Sequence, residues 1–145
     1  MKLVIQRVSR ASIRVDGEEI AGIGRGLMVL IGVGCEDDAQ TAEKLARKMT
    51  ALRIFEDAAG KTNLSLADVD GELLLISQFT LYADTSHGHR PGFTDAARPE
   101  QAIPIYEHFV ACCRQLMPEG RVQTGRFGAD MKVELVNDGP FTILM

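Results

Sequence analysis

The chain lacks the features that would place it in several large classes. No apolar run approaches the roughly 20 residues needed to cross a bilayer. The segment before Val8 is too short for the apolar core of a secretion signal, so a cytoplasmic protein is expected, with no membrane partner. Cysteine is scarce: Cys35, Cys112 and Cys113 are the only three, and no pair has metal-knuckle spacing. They read as reduced thiols, with Cys112 and Cys113 on an apolar helical stripe rather than in a catalytic role. Histidine is also scarce. His87 and His89 could face one ion, but two ligands without a third nearby in sequence read more simply as polar loop residues. His108, beside Phe109, is expected on the outer face of a helix. No metal and no cofactor is therefore expected.

Two motif classes are missing as well. No Gly-x-Ser-x-Gly elbow occurs, which disfavours a hydrolase of that type. The stretch GIGRG (Gly22–Gly26) lacks the rest of either nucleotide fingerprint and reads as turn glycines before a buried strand. Positive charge is in deficit, with 16 Lys and Arg against 20 Asp and Glu and a formal net charge of -4. That balance excludes a general polyanion binder, and DNA is not an expected partner. Any nucleic-acid contact would need a local patch, for which Lys44, Arg47 and Lys48 or Arg121, Arg126 and Lys132 are available. At helical spacing the first group reads as a solvated helix face.

What is present is a globular composition, 46% hydrophobic and 25% charged over 145 residues, which suits a single domain spanning residues 1–145. Val4 to Val15 alternates as a strand, Asp16-Gly17 signals a hairpin, and Glu18 to Ile23 returns antiparallel. Gly26 to Gly34 is a continuous apolar run, as in a strand buried on both faces. Asp37 and Asp38 offer an N-cap for a helix to about Thr50, with Leu45, Met49 and Leu52 facing inward. A short strand is predicted over Leu52–Phe55, and the longest strand over Glu72–Tyr82. Ala83 to Arg98 reads as a loop. Pro99 to Met117 reads as a helix with Ile105, Phe109, Cys112, Cys113 and Leu116 on one stripe and Pro104 early enough to be tolerated. Val122–Phe127, Met131–Val136 and a terminal segment complete six to eight strands with about two helices. The expected class is α+β: a β-rich, barrel-like sheet rather than a doubly wound one.

Two stretches break the pattern. Ser77-Gln78-Phe79-Thr80 brings polar side chains to the end of a strand that is apolar through Ile76. An emerging strand tip explains this. A strand end is also a rigid place to display hydroxyls and backbone amides, and unpaired amides there can form an oxyanion hole. The second is Gly139-Pro140, which interrupts good strand formers near the carboxyl end.

SQFTL (Ser77–Leu81) and NDGPFT (Asn137–Thr142) resemble the two signature motifs of the D-aminoacyl-tRNA deacylase family. The likeness spans the chain. QRVSRAS (Gln6–Ser12), RIF (Arg53–Phe55) and TGRFGADM (Thr124–Met131) stand in the family's order, and Phe141 stands where many relatives have valine. The resemblance implies hydrolysis of the ester joining a D-amino acid to the 3′ acceptor end of tRNA, by an isologous homodimer. It implies a cis Gly139-Pro140 bond that reaches into the partner's pocket and rejects L-residues by steric clash. Glycine, having no side chain to clash, would be accepted. It implies catalysis at Gln78, Phe79 and Thr80 through backbone amides, and substrate contacts from Ser77, Phe127, Met131, Gly139 and Pro140. Phe127 and Met131 would line the terminal adenosine's pocket, although both also suit a core. Arg7 and Asn137 would support the Gly139-Pro140 element.

Thr80 as a nucleophile would need a base, and no histidine or lysine is evidently placed to serve. An attacking water assisted by the substrate's ribose 2′-hydroxyl fits that lack better. Two other readings stand beside this one: a non-enzymatic RNA- or partner-binding module on the same scaffold, and a serine esterase using Ser77.

Overall fold

The computed structural model describes residues 1–145. β1 (Lys2–Val15) is its longest strand and its organising element. Asp16 and Gly17 turn the chain with φ of 52° and 84°, both positive as a tight hairpin of matching twist requires, and β2 (Glu18–Ile23) returns antiparallel. β3 (Gly26–Gly32) pairs antiparallel with the first half of β1, Lys2 to Val8, so β2 and β3 share one edge of that strand end to end. β6 (Glu72–Ser77) runs parallel to β3, and β7 (Val122–Thr124) runs parallel to β6. β8 (Lys132–Leu144) covers the other edge of β1. β2 lies near β6 and β7, so the sheet curls into a nearly closed barrel, as the sequence predicts.

Alternation divides the apolar residues between two cores. Val8, Ala11, Ile13, Val15, Met28, Leu74 and Ile76 fill the inside of the curl. Leu27, Val29, Ile31, Leu73 and Leu75 face outward, under the helices. β3 is thus buried on both faces, which is why its sequence is continuously apolar. The two helices, α1 (Ala39–Thr50) and α2 (Pro99–Leu116), provide the parallel crossovers β3 to β6 and β6 to β7. Asp38 caps α1 by accepting from the Thr41 amide at 2.8 Å.

Several boundaries differ from the sequence expectation. The buried face of α1 is Ala42, Ala46 and Met49, with Leu45 and Leu52 only half-buried, because small residues let the helix approach α2 closely. On α2 the buried set is Ala102, Tyr106, Phe109, Val110 and Cys113, while Leu116 is exposed. Pro99 holds the first helical position, and Pro104 lies inside the helix, beyond the first turn. The predicted strand at Leu52–Phe55 shifts to β4 (Phe55–Glu56), which pairs with an unforeseen β5 (Thr62–Leu64) around the expected turn. The long strand Glu72–Tyr82 stops at Ser77 and continues as a 3-10 turn over Phe79–Tyr82.

Gly139-Pro140 does not separate two strands: β8 runs through it with a bulge. Gln6 pairs with Thr142 and Val8 with Asn137, so two steps along β1 match five along β8. The surplus residues loop outward, and Asp138, Gly139 and Pro140 are exposed.

Candidate active site

The end of β6 is set by its neighbour β3. Ser77 is the last residue in register, opposite Ile31, and the Gln78 amide donates to the Ile31 carbonyl at 2.7 Å. At Gln78 the backbone (φ -146°, ψ 84°) turns into the 3-10 turn, whose first internal bond runs from the Leu81 amide to the Gln78 carbonyl at 3.3 Å. The amides of Phe79 and Thr80 come before that bond, at the open start of the turn. The Gln78 amide is already engaged by the sheet. Of the three amides that the sequence suggests for charge stabilisation, two are therefore left without a partner inside the chain. The turn folds against β3 because position 32 is glycine: a Cβ there would stand 3.0 Å from the Leu81 Cβ and 3.2 Å from the Gln78 carbonyl oxygen.

The Thr80 hydroxyl accepts from the Gln78 side-chain amide at 2.6 Å. That partner is a donor, so it holds the hydroxyl without being able to take its proton. No basic side chain is bonded to Thr80 Oγ1.

Beside the turn opens a cavity of about 530 Å³. Ser77, Gln78, Phe79, Phe127 and Met131 all line it, which brings five of the sequence-predicted residues to one place. Pro99, Ala102 and Tyr106 of α2 form another wall, and these the sequence did not flag as site residues. The helical spacing of Ala102 and Tyr106 signals only an inward face. Tyr106 donates its hydroxyl to the Leu75 carbonyl at 2.9 Å, and burial pushes its pKa up to about 12. It is thus a fixed neutral wall rather than a proton acceptor. Its ring lies 6.1 Å from that of Phe127. At the mouth, Phe79 is 56% exposed and meets Phe93 edge to face at 5.1 Å. Phe93, in the loop after the turn, is a fourth residue the sequence did not single out.

The remaining predicted residues gather elsewhere. Arg7, on β1, is 5% exposed, the one charged side chain in the buried interior. It donates to the Asp138 carbonyl at 3.0 Å and the Ile54 carbonyl at 2.7 Å, and its guanidinium lies 4.7 Å from the centre of the Phe141 ring. Asn137 accepts from the Phe141 amide at 2.9 Å and donates to the Thr142 hydroxyl at 3.2 Å. Together these bonds brace the bulge that carries Gly139-Pro140, whose peptide bond is cis. Gly139 has φ of 132°, and a Cβ there would stand 3.1 Å from Arg7 Nη2, so the position admits glycine for two reasons. Neither Gly139 nor Pro140 lines the cavity of its own chain.

A curled six-stranded sheet with two helices on one face and a turn-and-cavity site at a parallel strand end defines a fold already seen in solved structures. One, whose description reads "Structural Analysis of a probable eukaryotic D-amino acid tRNA deacylase", superposes with a TM-score of 0.85 at 17% identity, covering 99% of this chain and 97% of that one. Another, described as c-Myc DNA Unwinding Element Binding Protein, gives a TM-score of 0.95 at 43% identity, covering 100% and 97%. Sequence narrows this further. The family model described as D-Tyr-tRNA(Tyr) deacylase matches residues 4–145. A D-aminoacyl-tRNA deacylase of Anaeromyxobacter dehalogenans is 59% identical, and one of Cytophaga hutchinsonii 52%; each match covers 100% of this chain and 96% of the relative. The chain belongs to the D-Tyr-tRNA(Tyr) deacylase family.

Proposed function

We propose that this protein hydrolyses the ester bond of D-aminoacyl-tRNA, releasing the amino acid and free tRNA. The observation that carries the reading is the strand end Ser77–Phe79, which lines a cavity where the turn Phe79–Tyr82 begins with the Phe79 and Thr80 amides unpaired within the chain, in a chain that matches the family over residues 4–145. The Phe79 and Thr80 amides would stabilise the oxyanion that forms when water attacks the ester carbonyl. The cavity walls of Phe127 and Met131 offer an aromatic face and a polarisable thioether to the terminal adenine. Thr80, bonded to a donor, serves position rather than nucleophilic attack. The attacking water's proton passes to the departing ribose 3′-oxygen, with the substrate's 2′-hydroxyl as the relay that accepts one proton and gives up its own.

Chiral selection is assigned to Gly139-Pro140. The bulge is exposed, braced by a buried arginine and absent from its own chain's cavity, so it is free to enter the cavity of a second copy in an isologous homodimer. There it would occupy the direction an L side chain needs, leaving room for a D side chain and for glycine. Purified protein should hydrolyse D-aminoacyl-tRNA and glycyl-tRNA while sparing L-aminoacyl-tRNA, with chelator present throughout. Sparing of the D-ester at high enzyme concentration would end the hydrolytic reading; sparing of glycyl-tRNA alone would end the clash model.

The resemblance to the DNA unwinding element binding protein favours one second reading, nucleic-acid binding without catalysis on the same scaffold. The same assay separates the two: a binding module would retain tRNA and leave its ester intact.

A further inference from the structure

The seam between α1 and α2 holds a group of side chains that the hydrolytic site does not use. His108 and Cys112 are four residues apart on α2 and so share one face of it. Glu43 reaches them from α1. Glu43 Oε1 lies 2.9 Å from His108 Nε2, and Cys112 Sγ lies 3.7 Å from the same nitrogen. All three donor atoms fall within 4.8 Å of one another. They line a cleft of about 260 Å³ that shares no residue with the cavity beside the 3-10 turn.

We propose that Glu43, His108 and Cys112 form a binding site for a thiophilic divalent cation of the zinc and cobalt class. Both a carboxylate oxygen and a sulfur converge on one ring nitrogen, which as a neutral group can offer only one proton or one lone pair. A cation among the three satisfies all of them. With zinc bond lengths near 2.0–2.3 Å, tetrahedral ligand atoms stand roughly 3.4–3.6 Å apart. The sulfur–nitrogen pair is already at about that separation, and the oxygen–nitrogen pair must open by roughly half an ångström. Glu43 is exposed and can make that adjustment by rotation.

The donor set also selects the ion. Thiolate and imidazole favour zinc or cobalt over magnesium or calcium, which prefer oxygen ligands. Binding releases the Cys112 thiol proton; one thiolate and one carboxylate then neutralise a doubly charged ion. Burial, and then the Glu43 charge, raise the Cys112 thiol pKa, with Arg47 in the same cleft the smaller opposing influence, so the thiolate forms as the ion binds. The cleft leaves a fourth position open to water. The bound ion would join α1 to α2 across a seam now bridged by the Glu43–His108 contact.

The test is titration of chelator-treated, full-length protein with cobalt(II). A thiolate-to-cobalt charge-transfer band should appear, saturate at one ion per chain and vanish when zinc is added. Cys112→Ser should remove the band. His108→Asn and Glu43→Gln should each weaken binding by at least about tenfold, the scale on which even outer-shell partners of a metal site act. Cys35→Ser should change nothing. Zinc should also raise the melting temperature of the unaltered protein and protect Cys112, but not Cys35, from alkylation. That measurement needs no variant to fold. No saturable band, a band that survives Cys112→Ser, or unprotected Cys112 at saturating zinc would overturn the proposal and leave an ordinary inter-helix hydrogen bond. None of these readouts depends on the hydrolytic activity.

Discussion

At the scale of single residues, Thr80 and Arg7 separate chemistry from support. Thr80 carries the one aliphatic hydroxyl within the turn, yet its bonded neighbour is a donor. Thr80→Ala should therefore keep the rate of D-aminoacyl-tRNA hydrolysis within about tenfold, a loss of no more than roughly 1.4 kcal/mol in the barrier. Abolished turnover with unchanged tRNA binding would make the hydroxyl a nucleophile. Arg7 is the opposite case, outside the cavity lining but buried and bonded to two carbonyls from distant segments. Arg7→Ala leaves those carbonyls without their charged donor and should cost about 2–4 kcal/mol in urea unfolding. It should also loosen the bulge, so discrimination against L-aminoacyl esters should fall in protein that still folds.

At the scale of elements, α2 does two jobs, walling the cavity with Ala102 and Tyr106 and closing the outer core with Phe109. Phe109 is fully buried, so Phe109→Ala should cost about 3–5 kcal/mol. Against the 5–15 kcal/mol typical of such a domain, that loss should be plain in a denaturation midpoint. Helix α1 carries a pH dependence at its start. The Thr41 amide, and then the Thr41 hydroxyl, hold the Asp38 carboxyl below its ordinary value. Backbone amides of Lys61 and Ser65 do the same for Asp57 and Asp68. A depressed folded value means that the stabilisation is present above the unfolded value, near 3.9, and is lost as pH falls through the folded one. The urea midpoint should stay level from neutrality to about pH 5 and drop below about pH 4. Asp38→Asn, whose amide oxygen still caps but does not titrate, should drop less steeply.

At the scale of the whole molecule, the cavity and the Gly139-Pro140 bulge are apart in one chain, and the proposed site is completed by a second copy. Mixed dimers test this directly. One variant alters the cavity wall, as in Phe127→Glu; the other alters the bulge, as in Gly139→Val with Pro140→Ala. Each alone should fail in rate or in selectivity. Mixed and refolded together, they should recover selective hydrolysis in roughly a quarter of all sites, because half the dimers are mixed and each holds one intact pair under isologous symmetry. No recovery, from variants that fold and mix, would place the bulge outside the neighbour's cavity.

The hairpin at Asp16-Gly17, the doubly buried strand from Gly26 and the cap at Asp38 were legible because each depends on local backbone preference or on alternation. The family motifs were legible for the same reason that they are short and contiguous. What the sequence could not mark was where a run of strand formers stops: Phe79 to Tyr82 favours a strand by composition, yet the pairing with β3 ends at Ile31 and Gly32 lets the chain fold back as a turn. Gly139-Pro140 reads as a break but is a bulge, since β1 continues past it and pairs on both sides. Glu43 lies 65 residues from His108, so no spacing within one segment could join them. The sequence by itself determined the period of each element and which face is apolar, because those follow from neighbours along the chain. Only the tertiary structure decided which amides are left unpaired and which distant side chains meet, because both depend on where a partner strand or helix ends in space.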